Sequence, residues 1–316
     1  MNIILGTMTF GEQLWEDDAI YVMKEFMDLG YNHIDTAYVY NDGNSERIIG
    51  EALKGIKRDL LYIDSKVNPR ITGRLDAEAV QIQLEESLRR LGVDYIDTYY
   101  LHFPDANTPI ESALEKISEY WERGYIRELG LSNFPVGLVE RVNLICENNR
   151  WIKPSVYEGL YNPLSRKAEF DLFECLDKLK IRFACYNPLA GGILTDRYKD
   201  FNTLPSNGRF INRPNYQARY WKPSYFEAVN LLKEKCRLYQ LNITEVAFRW
   251  LANSSMLNAK KGDAIIIGVS KLRHLKENIK YVNEEKLPDE ILNAFDDAWN
   301  LCKEEAPEYY RFYGAK

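Results

Sequence analysis

Histidine is scarce in this chain: three residues among 316, which argues against a histidine-based metal centre. Cysteine occurs five times, at positions 146, 175, 185, 236 and 302. The number is odd, the spacing wide, and no C-x-x-C occurs, which argues against a disulfide framework or thiolate metal site. Reduced, buried thiols in a cytoplasmic protein are the expectation. No apolar run approaches the roughly 20 residues needed to span a bilayer. The opening Met1 to Gly6 lacks the charged start and long apolar stretch of a secretory signal. No G-x-G-x-x-G follows the first strand-like segment, which weighs against the doubly wound open sheet as the runner-up architecture. Positive charge is also short, with 41 Lys and Arg against 47 Asp and Glu, so the chain has no electrostatic footprint for nucleic acid or an anionic membrane.

What is present is regular. Strand-like and helix-like segments alternate throughout, with no composition break to mark a linker, so residues 1–316 read as a single domain. Strands are predicted at 3–6, 33–35, 62–66, 99–101, 128–131, 155–157, 183–186 and 264–267. Helices are predicted at 17–29, 45–53 with Ser45 as N-cap, 77–91, 110–123, 136–147 and 168–178, then at 224–239, 244–252, 272–281 and 289–304. Eight βα units in about 300 residues indicate a (β/α)8 barrel. It carries extra helices near the C-terminus and a loop of about 35 residues after the seventh strand, long enough to suggest a functional lid.

Active sites of such barrels lie where the strands end. The predicted exits carry Asp35, Lys66, His102, Ser132 with Asn133, Glu158, Tyr186 with Asn187, and Ser270, while the strand interiors are apolar. Tyr40 follows Asp35 by five residues. A phenol beside an ammonium, a carboxylate and an imidazole can supply a proton to a carbonyl near neutral pH.

Seven stretches, in order along the chain, resemble the aldo-keto reductases, most closely the aflatoxin-aldehyde and succinic-semialdehyde reductase branch. They are Ile34–Tyr40, Tyr99–Asp105, Glu128–Asn133, Val156–Asn162, Tyr186–Leu194, Gly262–Ser270 and Pro307–Arg311. The resemblance implies reduction of a small carbonyl substrate with NADPH (oxidised to NADP+), and a homodimer. By it, Tyr40 is the general acid and Lys66 lowers its pKa. Asp35 holds Lys66, and His102 orients the substrate carbonyl. The implied cofactor contacts are Ser132, Asn133, Tyr186, Asn187, Leu189, Gly191, Arg197, Arg209, Ser270, Lys271, His274 and Asn278. The basic residues Lys271, Arg273, His274 and Lys276 favour a 2′-phosphate. Arg219 and Arg311 match positions that bind a substrate carboxylate, for which an arginine fork is suited.

One position departs from the family. Glu158 stands where a glutamine ordinarily bonds the nicotinamide carboxamide. An ionised carboxylate accepts from the amide but cannot donate to it, and its charge favours the oxidised, cationic ring. Protonation or pairing of Glu158 would cancel that effect. Two other readings compete. A metal-dependent barrel hydrolase lacks its ligand cluster, whereas a cofactor-sensing regulatory subunit of the kind that partners potassium channels shares the fold but performs no turnover.

Overall fold

The computed structural model describes residues 1–206 and 208–314. Eight parallel strands close into a barrel in chain order: β1 (Asn2–Gly6), β2 (His33–Asp35), β3 (Tyr62–Val67), β4 (Ile96–Leu101), β5 (Ile126–Ser132), β6 (Pro154–Leu160), β7 (Arg182–Tyr186) and β8 (Ala264–Gly268). Closure is made by β8 against β1, in register from Ala264 beside Asn2 to Gly268 beside Gly6. This is the (β/α)8 architecture expected from the alternation. β2 keeps its predicted bounds, while β4, β5 and β6 run up to three residues beyond theirs, because ladder pairing continues past the apolar run.

Side chains alternate between two environments. One set packs outward beneath the helices. The other points into the barrel, where Ile4, Tyr100, Val156, Ala184, Ala264 and Ile266 form an apolar cluster. The barrel interior is otherwise unusually polar. At its amino-terminal end Arg182 pairs with Glu128, which also accepts from Tyr62 Oη at 2.8 Å. Asp64 and Lys66, two residues apart on β3, share the inward face.

The helix Ala77–Leu91 forms where its periodicity predicts, and Asp76 caps it by accepting from the Ala79 N–H at 3.0 Å. Ser45 is not the N-cap of its helix, which spans Asn44–Ala52 behind Gly43. Its hydroxyl instead bonds those of Thr7 and Thr36, each at 2.8 Å. Partners at the β1 and β2 exits compete successfully for a group that local sequence alone assigns to a cap. The segment predicted as one helix at 168–178 divides into a 3₁₀ turn, Lys167–Glu169, and the helix Leu172–Leu179. The long segment after β7 is not structureless either. It contains the short helices Arg209–Asn212 and Pro214–Tyr220, packed by contacts among Tyr198, Phe210, Trp221 and Phe226 with ring centroids 4.9–5.4 Å apart.

The turn after Val39 is held from two sides. Asn41, Asp42 and Gly43 take consecutive positive φ values of 51°, 56° and 83°, a conformation these residue types adopt at least cost. Asn41 Nδ2 donates to the carbonyls of Met8 (2.8 Å) and Phe10 (2.7 Å). On the other side the Arg90 guanidinium lies over the Tyr38 ring, donates to the Tyr38 carbonyl at 3.1 Å, and pairs with the fully buried Glu46. Arg90→Met strands that carboxylate and is expected to cost about 3–5 kcal/mol in urea unfolding. A cost below about 1 kcal/mol would mean that the pair contributes little.

Candidate functional site

Because the strands are parallel, their carboxyl ends open on one mouth. Asp35 at the end of β2 and Lys66 near the end of β3 meet there. Lys66 Nζ donates to Asp35 Oδ1 and to the Thr36 carbonyl (2.8 Å), and both side chains are buried. Burial opposes the lysine's charge, but the carboxylates of Asp35 and Glu158 outweigh it and hold the ammonium well above its ordinary range. The same ammonium lies 5.4 Å from the centroid of the Tyr40 ring, and that ring meets the His102 imidazole edge-on at 5.9 Å. The four residues expected to act together are therefore brought together.

Their protonation is more specific than the sequence suggests. Burial raises the Tyr40 phenol well above 10; Lys66 acts downward as expected, while Asp35 and Glu158 reinforce burial. The ammonium alone therefore does not bring the phenol below its ordinary value. His102 moves the other way: burial, then the charges of Lys66 and Arg70, push it well below 6.5, so it is neutral at physiological pH. Its tautomer follows from Asn68. The Arg70 N–H donates to Asn68 Oδ1 at 3.0 Å, which leaves Asn68 Nδ2 to donate to His102 Nδ1 at 3.1 Å. The imidazole proton then resides on Nε2. Asn68, itself held through its backbone by Gln83, was missed in the sequence; its position two residues beyond Lys66 and just before Pro69 was the available signal.

Asn133, in the left-handed region at φ 63°, joins three strand exits. Its Nδ2 donates to the His102 carbonyl and to Ser132 Oγ, both at 2.9 Å, and its Oδ1 accepts from Tyr186 Oη at 2.7 Å. Glu158 is not at the strand end but two residues inside β6, beside Ser132 in the ladder. Its Oε2 lies 3.1 Å from Lys66 Nζ.

Past β7 the chain turns tightly. Asn187 (φ 56°), Ala190 (φ 48°) and Gly191 (φ 71°) are all left-handed, and Leu189 accepts from the Gly192 N–H at 2.8 Å. A Cβ at Gly191 would come within 2.9 Å of the Tyr216 ring, so both its φ and that ring require glycine. Asn187 Nδ2 is buried without a hydrogen-bond partner, while its Oδ1 accepts from Tyr216 Oη at 3.3 Å. Arg197 lies over Gly208, and the Arg209 guanidinium stands 4.9 Å from the Tyr216 ring centroid. Arg213, which the sequence did not single out, donates to Glu12 and to Asn41 Oδ1, tying this segment to the turn that carries Tyr40.

Beyond β8, Ser270 and Lys271 precede the helix Leu272–Val282, on which His274 is half-buried and Asn278 buried. Of the four basic residues there, Lys276 is engaged with Glu25 at 2.7 Å. That leaves Lys271, Arg273 and His274. Arg219 sits among Tyr186, Tyr216 and Tyr220, its guanidinium 5.8 Å from the Tyr216 ring centroid. Arg311 is exposed, its N–H donating to the Asn133 carbonyl at 3.0 Å. Both guanidinium charges act on the Tyr186 phenol, which burial pushes up to about 12. Neither has a carboxylate partner among the described residues.

A closed eight-stranded barrel with a phenol, an ammonium and a neutral imidazole at its mouth defines a class of carbonyl-handling oxidoreductases. Residues 2–300 match the model of the Aldo/keto reductase family. The chain is 37% identical to aflatoxin B1 aldehyde reductase member 2 of Mus musculus, over 98% of this chain and 87% of that protein. It is 36% identical to aldo-keto reductase family 7 member A3 of Homo sapiens, over 98% and 96% respectively. A fungal relative, the aldo-keto reductase pigE of Monascus ruber, is 30% identical over 98% and 96%. The chain belongs to the aldo/keto reductase family and is an oxidoreductase.

Proposed function

We propose that this protein reduces aldehydes bearing a remote carboxylate to primary alcohols, using NADPH. The observation that carries the reading is the convergence of Tyr40, Lys66 and Asp35 with a neutral His102 whose Nε2 bears the proton. The bound dinucleotide supplies a hydride to the carbonyl carbon. His102 Nε2–H donates a hydrogen bond to the carbonyl oxygen and orients it. As negative charge grows on that oxygen, Tyr40 delivers its proton there, and Lys66 stabilises the phenolate left behind. Solvent returns the proton to Tyr40.

The residues present fit a dinucleotide. Tyr186 offers a ring at the mouth for stacking, Ser132 and Asn133 offer polar groups beside it, and the buried Asn187 amide awaits an acceptor. Leu189, Gly191, Arg197 and Arg209 would hold the pyrophosphate. Ser270, Lys271, Arg273, His274 and Asn278 supply donors and positive charge for an adenosine 2′-phosphate, which favours NADPH over NADH.

Arg219 and Arg311 support a carboxylated substrate, since both guanidinium charges act on Tyr186 and neither has a carboxylate partner among the described residues. NADPH absorbance loss is expected to be faster, by kcat/KM, with succinic semialdehyde or 4-carboxybenzaldehyde than with neutral aldehydes of equal size. Arg311→Ala is expected to raise KM for the carboxylated substrates about tenfold or more, as loss of one charge-assisted contact would. An unchanged KM, with no advantage of charged over neutral aldehydes, would remove the arginines from the reading. Absence of NADPH oxidation with every aldehyde would leave the regulatory-subunit alternative standing.

A further inference from the structure

The closed interior of the barrel carries more negative than positive charge. Asp35, Asp64 and Glu158 are buried there with one ammonium, Lys66. Asp35 has the hydrogen bond from Lys66. Asp64 pairs with His33 at 2.7 Å, toward the amino-terminal end, where solvent reaches the imidazole. Glu158 is the surplus. Its Oε2 approaches Lys66 Nζ to 3.1 Å without a hydrogen bond aligned to it, while Asp35 and the Thr36 carbonyl take two of the ammonium's three protons.

Among the described residues, no cation other than Lys66 pairs with Glu158. Tyr40 lies on the turn above it, Asp35 on β2, Asp64 and Lys66 on β3, Tyr100 on β4, Ser132 on β5 and Tyr186 on β7. Ile4 of β1 and Ile266 of β8 are apolar. A second full negative charge beside one shared cation is costly in such a space.

We propose that Glu158 selects between the reduced and oxidised cofactor through its own proton. Protonated, it presents a hydroxyl donor and a carbonyl acceptor, the same pair a glutamine amide would offer a carboxamide. Ionised, it presents charge alone and favours the cationic ring of NADP+. Burial and then the Asp35 charge outweigh Lys66 and raise its carboxyl to about 8, so both forms are accessible near physiological pH. By linkage, a ligand that prefers the ionised form must expel the proton when it binds. This inference rests on the dinucleotide reading above.

Dissociation constants for NADP+ and NADPH, from quenching of intrinsic fluorescence, test it across pH about 8. The 2′-phosphate is common to both forms, so its titration cancels in their ratio. In the wild-type protein, preference is expected to move toward NADP+ by about tenfold as pH rises, equivalent to about one pKa unit of coupling. In Glu158→Gln the ratio is expected to stay flat. Below the transition, NADP+ binding to the wild type is expected to release more protons than NADPH binding, seen as a difference in how the two binding enthalpies depend on the buffer's own ionisation enthalpy; the 2′-phosphate contribution is common to both. Infrared spectra of the unliganded wild type are expected to show a carboxylic-acid C=O band at neutral pH that disappears in alkali, a readout that does not depend on the variant folding. A flat wild-type ratio, an equal pH dependence in Glu158→Gln, or absence of the band would overturn the inference. Failure of the wild type to bind either nucleotide would instead overturn the dinucleotide reading on which it rests.

Discussion

Tyr40→Phe is expected to lower the turnover of carbonyl reduction by about 10²–10⁴-fold, the usual contribution of a positioned general acid, with little change in cofactor affinity. Neither Lys66 nor His102 can replace the lost proton. Lys66 is held charged by two carboxylates, with Asp35 and the Thr36 carbonyl accepting two of its protons. His102 is neutral, so its Nε2–H can donate a hydrogen bond but is far too weak an acid to surrender the proton. The packing survives the change, because phenylalanine keeps the edge contact with His102 and the ring near Lys66. Stability should therefore move little. Single-turnover rates at saturating cofactor are the measurement, and a loss below about tenfold would assign the acid to another group.

Lys66→Met carries the largest expected effect on stability as well as on rate. The variant leaves Asp35 and Glu158 facing each other in a buried space from which their shared cation has gone. Breaking such a pair costs about 3–5 kcal/mol near neutral pH. The sign with pH follows from linkage. Burial already raises both carboxyls, and removing the ammonium raises them further, so the native state binds protons that the unfolded chain has released. The stability contributed by those protons is present in acid and lost as pH rises through the folded-state values. The deficit of Lys66→Met against the wild type is therefore expected to be small in acid and to grow toward neutrality. Urea unfolding at several pH values measures it; equal stability of the two proteins at neutral pH would contradict the charge arrangement described here.

These two predictions depend differently on sequence and structure. The identities of Asp35, Tyr40, Lys66 and His102 were legible because each ends, or closely follows, a short apolar run, and parallel strands must deliver such ends to one mouth. Helix periodicity placed Ala77–Leu91 correctly for the same local reason. Ser45 shows where local reasoning stops. Its cap-like position was overruled by the hydroxyls of Thr7 and Thr36, which follow β1 and β2. Lys276 is similar: it belongs to a basic run in sequence, but Glu25 of another helix takes its charge. The segment after β7 was read as irregular because its helices are only four and seven residues long and are packed by aromatic contacts rather than by a repeating apolar face.

By itself, the sequence determined the alternation that closes into a barrel, the residue types at its mouth, and the substitution of a glutamate at 158. Periodicity and strand-end chemistry are local properties, and they survive in one dimension. The tertiary structure alone decided the proton states: a neutral His102 protonated on Nε2, a Tyr40 raised by burial despite Lys66, and a Glu158 left over after Asp35 has engaged the ammonium. Charge in a closed interior depends on which groups share the same small volume and how little water reaches them, and no spacing along the chain encodes that sum.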